Sequence, residues 1–334
     1  MVQYLGIGIG AGLVSALLFG VLLKATPLAI VLYLLAPLPI LIVGLGWSHK
    51  AALAAAVTGS LALALAVSPF LGLGFSAYLA LPAWWLAYLA LLGRPRTDGS
   101  LEWYPTGRLL GWTAATAALA FVAIAVIASP SYDAFQTQLR AMSASIVQIQ
   151  TRGSPSGGAK PDMAQPQGES PTESATGGQA SPQPNEVADA LARIAPALAT
   201  QGLAVLLTLY LWAAARIVQI SGRLPRPWPD LPATMMPRAV LGLLAASVLL
   251  GFAPGYAGVL GMALAGSLSA AFALQGLCAF HDRSRGRVGR GALLFGLYLI
   301  LFVTQGIALF ALTLFGIADT ALGLRRPHAS AGKP

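Results

Sequence analysis

Apolar residues run along this chain in long, nearly uncharged stretches separated by short polar breaks. A helix that crosses ~30 Å of hydrocarbon needs roughly 20 apolar residues at ~1.5 Å each. On that measure the pattern predicts spans near 4–23, 27–46, 51–69, 72–92, 109–129, 197–218, 238–253, 256–280 and 291–316. Strands do not fit these runs, because strands in lipid are short and alternate apolar with polar. The predicted fold class is all-α: a polytopic transmembrane helix bundle of about 8–9 spans with a disordered extramembrane linker. Pro27, Pro69, Pro196 and Pro237 fall at predicted helix ends, where a missing N–H costs little. Pro37, Pro39 and Pro82 fall inside spans and predict kinks. The apolar region 291–324 is long for one straight span and short for two, so it either tilts or breaks at Gly306 and turns back.

The pattern changes between 130 and 195. From 152 to 185 the chain is dominated by Gly, Pro and Ser with almost no aliphatic bulk. Such a segment buries too little apolar area to offset its ordering entropy, and reads as a disordered linker. It is flanked by two amphipathic helices. Phe135, Leu139, Met142, Ile146 and Ile149 make one apolar stripe; Val187, Leu191, Ile194 and Leu198 make the other. They are expected to extend spans five and six as a pair packed stripe to stripe, or to lie on the membrane surface. The domain reading is an N-terminal membrane bundle at 1–129, an extramembrane segment at 130–195, a C-terminal membrane bundle at 196–324 and a tail at 325–334.

Composition agrees with a lipid environment: 57% hydrophobic, 9% charged, mean hydropathy +0.73, against about 25% charged residues in soluble domains. Net charge is +9, but the basic residues sit in short loops beside apolar runs. That placement reads as topology, not as a phosphate-binding face, so the bilayer and not nucleic acid is the expected partner. With the N-terminus cytoplasmic, the cytoplasmic loops hold Lys50, Arg94, Arg96, Arg108, Arg216, Arg223, Arg226, Arg238, Arg283, Arg285, Arg287 and Arg290. The opposite side holds Lys24, Arg325, Arg326 and Lys333. The charge asymmetry favours this orientation and places the 130–195 segment on the outer face. Arg325 and Arg326 are the exception, since nine spans leave them outside. Richness in Ala, Gly, Pro and Arg suggests GC-rich coding and hence a bacterial inner membrane. The first run lacks a basic n-region and a cleavage site, so it reads as a first membrane helix rather than a signal peptide.

No catalytic, cofactor-binding or metal motif is visible. Cys278 is the single cysteine, which excludes a disulfide framework. The opening GIGIGAG lacks the strand and acidic partner of a dinucleotide loop. Gly6 with Gly10 and Gly8 with Gly12 read instead as helix-packing pairs, as does the stripe Gly261, Ala265, Ser269. Polar residues inside spans are the better functional candidates, because lipid makes them costly unless paired. These are Gln201, Gln275, Thr304 and Gln305, together with Trp212 and Arg216 at the cytoplasmic end of the sixth span. Trp84-Trp85 and Trp103-Tyr104 mark interfacial belts. His281-Asp282 opens a basic loop with no nucleophile nearby and reads as a solvated or headgroup contact.

Several stretches in order resemble the YybS-like bacterial multi-pass membrane proteins. They are LLAPLPILIVGLGWSHK at 34–50, Leu211-Trp212 through Arg216, LPRPWP at 224–229, Gln275-Gly276-Leu277 and FGIADTALGLRRP at 315–327. That family has no settled activity. The resemblance implies a fold similar to the integral, substrate-capturing S-component of energy-coupling-factor vitamin transporters, without transferring a substrate. Two functions follow as expectations. One is a transport or ligand-capture component with a polar pocket around Gln201, Gln275 or Gln305, coupled to a partner membrane or energising protein, or to an ion gradient. The other is a structural or regulatory scaffold that recruits a partner through the amphipathic helices and linker. An enzyme is not expected, for want of a convergent nucleophile and base. The oligomeric state is left open.

Overall fold

A computed structural model of the chain describes residues 2–24, 26–129, 131–153, 184–304, 306–323 and 325. The expected linker lies almost entirely outside the described residues. Among the described residues the fold is all-α apart from one short hairpin. The chain divides into two compact units, Met1–Ser129 with Pro196–Pro334, and Pro130–Ala195.

In the first unit, α1 (Val2–Gly20) packs along α4 (His49–Ala66). Gly8 and Gly12 make the approach close, since a methyl at either would run into the carbonyl oxygen of Ala51 or Ala55. Gly6 and Gly10 do not share this role: a methyl there meets nothing within 4 Å. The expected pairing of all four glycines therefore holds for one pair and fails for the other, which faces away from α4. Between them, α2 (Pro27–Leu35) and α3 (Leu38–Gly46) are one apolar run broken at Ala36-Pro37. The Ser15 hydroxyl donates to the Ala36 carbonyl at that break, 2.5 Å away. Pro82 acts similarly. α5 (Pro69–Phe75) passes through a π turn, Ser76–Ala80, before α6 (Leu81–Ala90) starts with Pro82 in its first turn. A loosened turn accommodates a residue that cannot donate to the helix ladder.

A two-stranded hairpin, β1 (Gly93–Pro95) and β2 (Leu101–Trp103), links α6 to α7 (Thr106–Ala128). The apolar pattern gave no sign of it. Then α9 (Pro184–Ile220) enters the unit at Pro196. Pro196 was expected at a helix end but lies inside this helix. One turn on, Thr200 Oγ1 sits 2.8 Å from the Pro196 carbonyl and 2.7 Å from that of Ala263, which ties this part of α9 to the helix that carries Ala263. The remaining helices are α10 (Ala239–Leu250), α11 (Gly255–Arg283), α12 (Arg290–Thr304) and α13 (Gly306–Leu322). Gly261 packs against the backbone of Leu250 and Gly251 on α10, whereas Ala265 is half-buried and its neighbour Gly266 meets Ala197.

The single ninth span expected at 291–316 is two helices, α12 and α13, parted at residues 304–306. α13 runs parallel to α11, as the constant offset from Ser269–Thr313 to Gln275–Asp319 shows. Gly276 and Gly316 allow this contact, because a methyl on Gly316 would clash with the Phe272 carbonyl. α12 is therefore the return leg, and none of its described residues is buried. The core gathers Leu41, Leu45, Phe75 and Leu86 around α3–α6, and Leu110, Leu268 and Phe272 around α7 and α11. Among the described residues, seven helical stretches are long and apolar enough to cross a membrane: Tyr4–Lys24, Pro27–Gly46, His49–Ala66, Pro69–Ala90, Thr106–Ala128, Glu186–Ile220 and Gly255–Arg283. α10, α12 and α13 are apolar but shorter.

The second unit holds α8 (Tyr132–Gly153) and the start of α9. Arg140 pairs with Asp189 across the two helices at 3.4 Å. The stripes bury only in part. Phe135 is buried and Leu139 and Leu191 are half-buried, whereas Met142, Ile146, Ile149, Val187, Ile194 and Leu198 are exposed. Ser143, Val147, Ala188 and Ala192, outside the expected stripes, are buried as well; small side chains let helices approach closely.

Candidate functional site

The first unit encloses a cavity of about 460 Å³ at the end where the basic loops lie. Its sides are the ends of α3 and α6, the start of α7, α9 from Thr208 to Ala215, and α11 from Leu274 to Cys278, with Tyr298 from α12. The segment between α9 and α10 roofs it through Leu224, Arg226, Trp228, Pro229, Leu231 and Thr234. The volume falls in the ~300–1,000 Å³ range of small-molecule sites.

The wall is leucine-rich, and its hydroxyls are turned to other uses. Thr113 Oγ1 donates to the Leu109 carbonyl and Thr208 Oγ1 to that of Ala204, each back into its own helix. Thr234 and Thr106 bond one another at 3.2 Å. Tyr298 OH meets His281 Nε2 at 3.0 Å. Arg226 is the charged residue of the wall. Its Nη1 donates to the Ala90 carbonyl at 3.1 Å, and it forms no ion pair among the described residues. Burial pushes its guanidinium pKa below the ordinary value.

Beside the cavity lies a buried polar network. Asp319 on α13 is 0% exposed and the Arg325 side chain 6%. Gly323 turns the chain back at φ 58°, the left-handed cap that ends many helices, and so brings Arg325 onto Asp319. Arg325 Nη2 and Nε reach Asp319 Oδ2 at 2.6 and 2.9 Å. Arg325 also donates to the roof, to the Pro232 carbonyl at 2.5 Å and the Thr234 carbonyl at 2.8 Å. Gln275 Nε2 donates to Asp319 Oδ2 at 3.0 Å and Thr320 Oγ1 at 2.7 Å, while Gln275 Oε1 accepts the Met236 N–H at 2.9 Å. Arg283 stands 3.9 Å from Asp319 with its guanidinium over the Phe315 ring.

The structure thus separates the sequence candidates. Gln275 is fully buried in a tight junction between α11, α13 and the roof, not in a pocket. Gln201 is half-buried on α9 away from the cavity wall. Gln305 lies outside the described residues. Trp212 lines the cavity. Arg216 is not in the wall but lies against the wall residue Trp228, its guanidinium 5.4 Å from the centroid of that ring and bonded to Gln219 Oε1 at 2.5 Å. Neither Gln201 nor Gln275 forms a polar pocket: the cavity is apolar and neither of the two lines it. Sequence reasoning missed Arg226, Asp319 and Arg325. Asp319 carried a usable signal, as the single acidic residue of the apolar region 291–324. Arg325 was expected across the membrane from Arg283, yet both meet Asp319. Compared with known proteins, the chain matches no family model, no curated protein and no solved structure.

Proposed function

We propose that the chain is a multi-pass bacterial inner-membrane protein of the ligand-capture or transport-component kind, holding a small ligand in the roofed cavity. The observation that carries this is the cavity itself: a volume of ligand size, bounded by six helices and a loop, beside a junction that fixes the roof. The membrane setting is supported by large apolar side chains on the outside, among them Leu65, Phe252 and Phe302, in numbers that a soluble monomer avoids. If α10, α12 and α13 also cross, the bundle has ten crossings. Both chain ends are then cytoplasmic, Arg325 joins the basic side, and the charge exception disappears. The likeness to YybS-like proteins and to S-components points the same way. A scaffold reading has one observation in its favour, the exposed apolar stripe of the second unit.

Cys278, the single cysteine, lies in the cavity wall and reports on it without mutation. Purified protein is screened by thermal shift against vitamins, metabolites and amphiphiles, and hits are tested for slowing Cys278 alkylation by N-ethylmaleimide. A stabilising compound that protects Cys278 is the expected result. The reading fails if nothing stabilises the protein and filling the cavity with Ala215→Trp leaves the alkylation rate unchanged.

A further inference from the structure

We propose that the cavity takes an anionic amphiphile, with an apolar chain in the leucine-lined space and a carboxylate or phosphate headgroup on Arg226; this rests on the capture reading above. The cavity offers few polar groups to a metabolite, because the hydroxyl protons of Thr113 and Thr208 go to helix carbonyls and that of Thr234 goes to Thr106 Oγ1. A polar ligand would lose its hydration there without replacement. An apolar chain loses nothing.

Arg226 sets the headgroup. A guanidinium has five N–H donors and binds carboxylate or phosphate through a two-pronged fork. Here a single bond, to the Ala90 carbonyl, is made. Acids at this end of the unit already hold cations: Asp230 and Asp282 pair with Arg285, Glu102 with Arg96, and Asp319 with Arg325. A half-buried cation with unused donors and no carboxylate partner among the described residues favours an added anion. Arg216 against Trp228 adds positive charge beside the wall.

The way in fits the same ligand. Leu209 and Trp212 on α9 and Tyr298 on α12 are the exposed part of the wall, and α12 buries none of its described residues. The cavity is thus thinly covered on the side where an apolar chain arrives laterally from the bilayer.

The test uses the full chain in zwitterionic phosphatidylcholine nanodiscs, with quenching of tryptophan fluorescence by three brominated probes. ω-Bromoundecanoate has chain and charge, ω-bromoundecanol has chain alone, and bromoacetate has charge alone. The expected result is saturable quenching with the carboxylate preferred over the alcohol by about tenfold or more, and no saturation by bromoacetate. Arg226→Gln should erase the preference, Arg226→Lys should keep part of it, and Ala215→Trp should abolish saturation. Adding phosphatidylglycerol identifies the source: competition assigns a bilayer lipid, and its absence a free amphiphile. Equal saturable binding of acid and alcohol, or a preference that survives Arg226→Gln, overturns the headgroup assignment and leaves the capture reading standing. Saturation by bromoacetate also overturns it, in favour of a small-anion site. Absence of saturable quenching by every probe, indifferent to Ala215→Trp, overturns both.

Discussion

Removing Arg325 should cost this protein far more than removing any of its surface arginines. In Arg325→Met the Asp319 carboxylate, 0% exposed, keeps only the Gln275 amide at 3.0 Å and Arg283 at 3.9 Å. Breaking a buried pair by taking one partner typically costs ~3–5 kcal/mol, because the remaining charge is stranded. Two roof carbonyls also lose their donor. Arg283 can swing closer to Asp319, which favours the lower part of that range. The matched control is Arg140→Met, whose pair with Asp189 is 61% and 57% exposed and should contribute only ~0–1 kcal/mol.

The double variant Asp319→Leu with Arg325→Met separates charge from packing. Both charges leave together, so the stranded-charge penalty goes with them. What remains is unpaired polar atoms on Gln275 and the roof, at ~1–3 kcal/mol. The assay is equilibrium unfolding in mixed micelles of neutral detergent and dodecyl sulfate, followed by tryptophan fluorescence, on the wild type, both singles, the double and the control. The double should be more stable than Arg325→Met, with a coupling of at least about 2 kcal/mol. A cost for Arg325→Met below about 1 kcal/mol, equal to the exposed control, would refute the reasoning; so would a double that simply adds the two singles.

Gly12→Val should destabilise the bundle by about 1–3 kcal/mol, because its side chain runs into the Ala55 backbone, whereas Gly10→Val, with open space around it, should stay within about 0.5 kcal/mol; the same unfolding assay reads both, and equal effects would mean that α1 presents a different face to α4. A green fluorescent protein fused to the C-terminus should fluoresce in cells and an alkaline phosphatase there should be inactive, as a cytoplasmic end requires. The reverse pair of readings would return α12 and α13 to a single crossing.

Much of the helix order was legible because a membrane-length apolar run needs no partner to be recognised. The departures are instructive. The break near Gln305 could be seen as a choice between tilt and turn-back, but only the α11–α13 contact through Gly276 and Gly316 decides it. The stripes on α8 and α9 were read by hydrophobicity alone. Close packing there selects Ser143, Ala188 and Ala192 by their small size instead. Asp319 and Arg325 stand six residues apart, a spacing that does not share a helix face. Their contact exists because α13 ends at Leu322 and Gly323 reverses the chain. The cavity had no sequence signature, since its wall is assembled from seven segments scattered along the chain and leucine is its commonest residue.

The buried pair and the cavity are one construction. Arg325 holds the carbonyls of Pro232 and Thr234, and Gln275 holds the Met236 N–H. Leu231 and Thr234, in the same stretch, form part of the cavity wall. A loop rich in proline between α9 and α10 makes few ladder bonds of its own, so its position over the cavity depends on an acceptor supplied by α11 and on donors supplied at the end of α13. Burying an aspartate and an arginine is a poor way to gain stability, because an apolar pair of similar size often serves as well. It does supply what an apolar pair cannot: directional donors that fix a loop backbone in one place. The ion pair is therefore better understood as the device that positions the roof, and α13 as a structural part of the cavity.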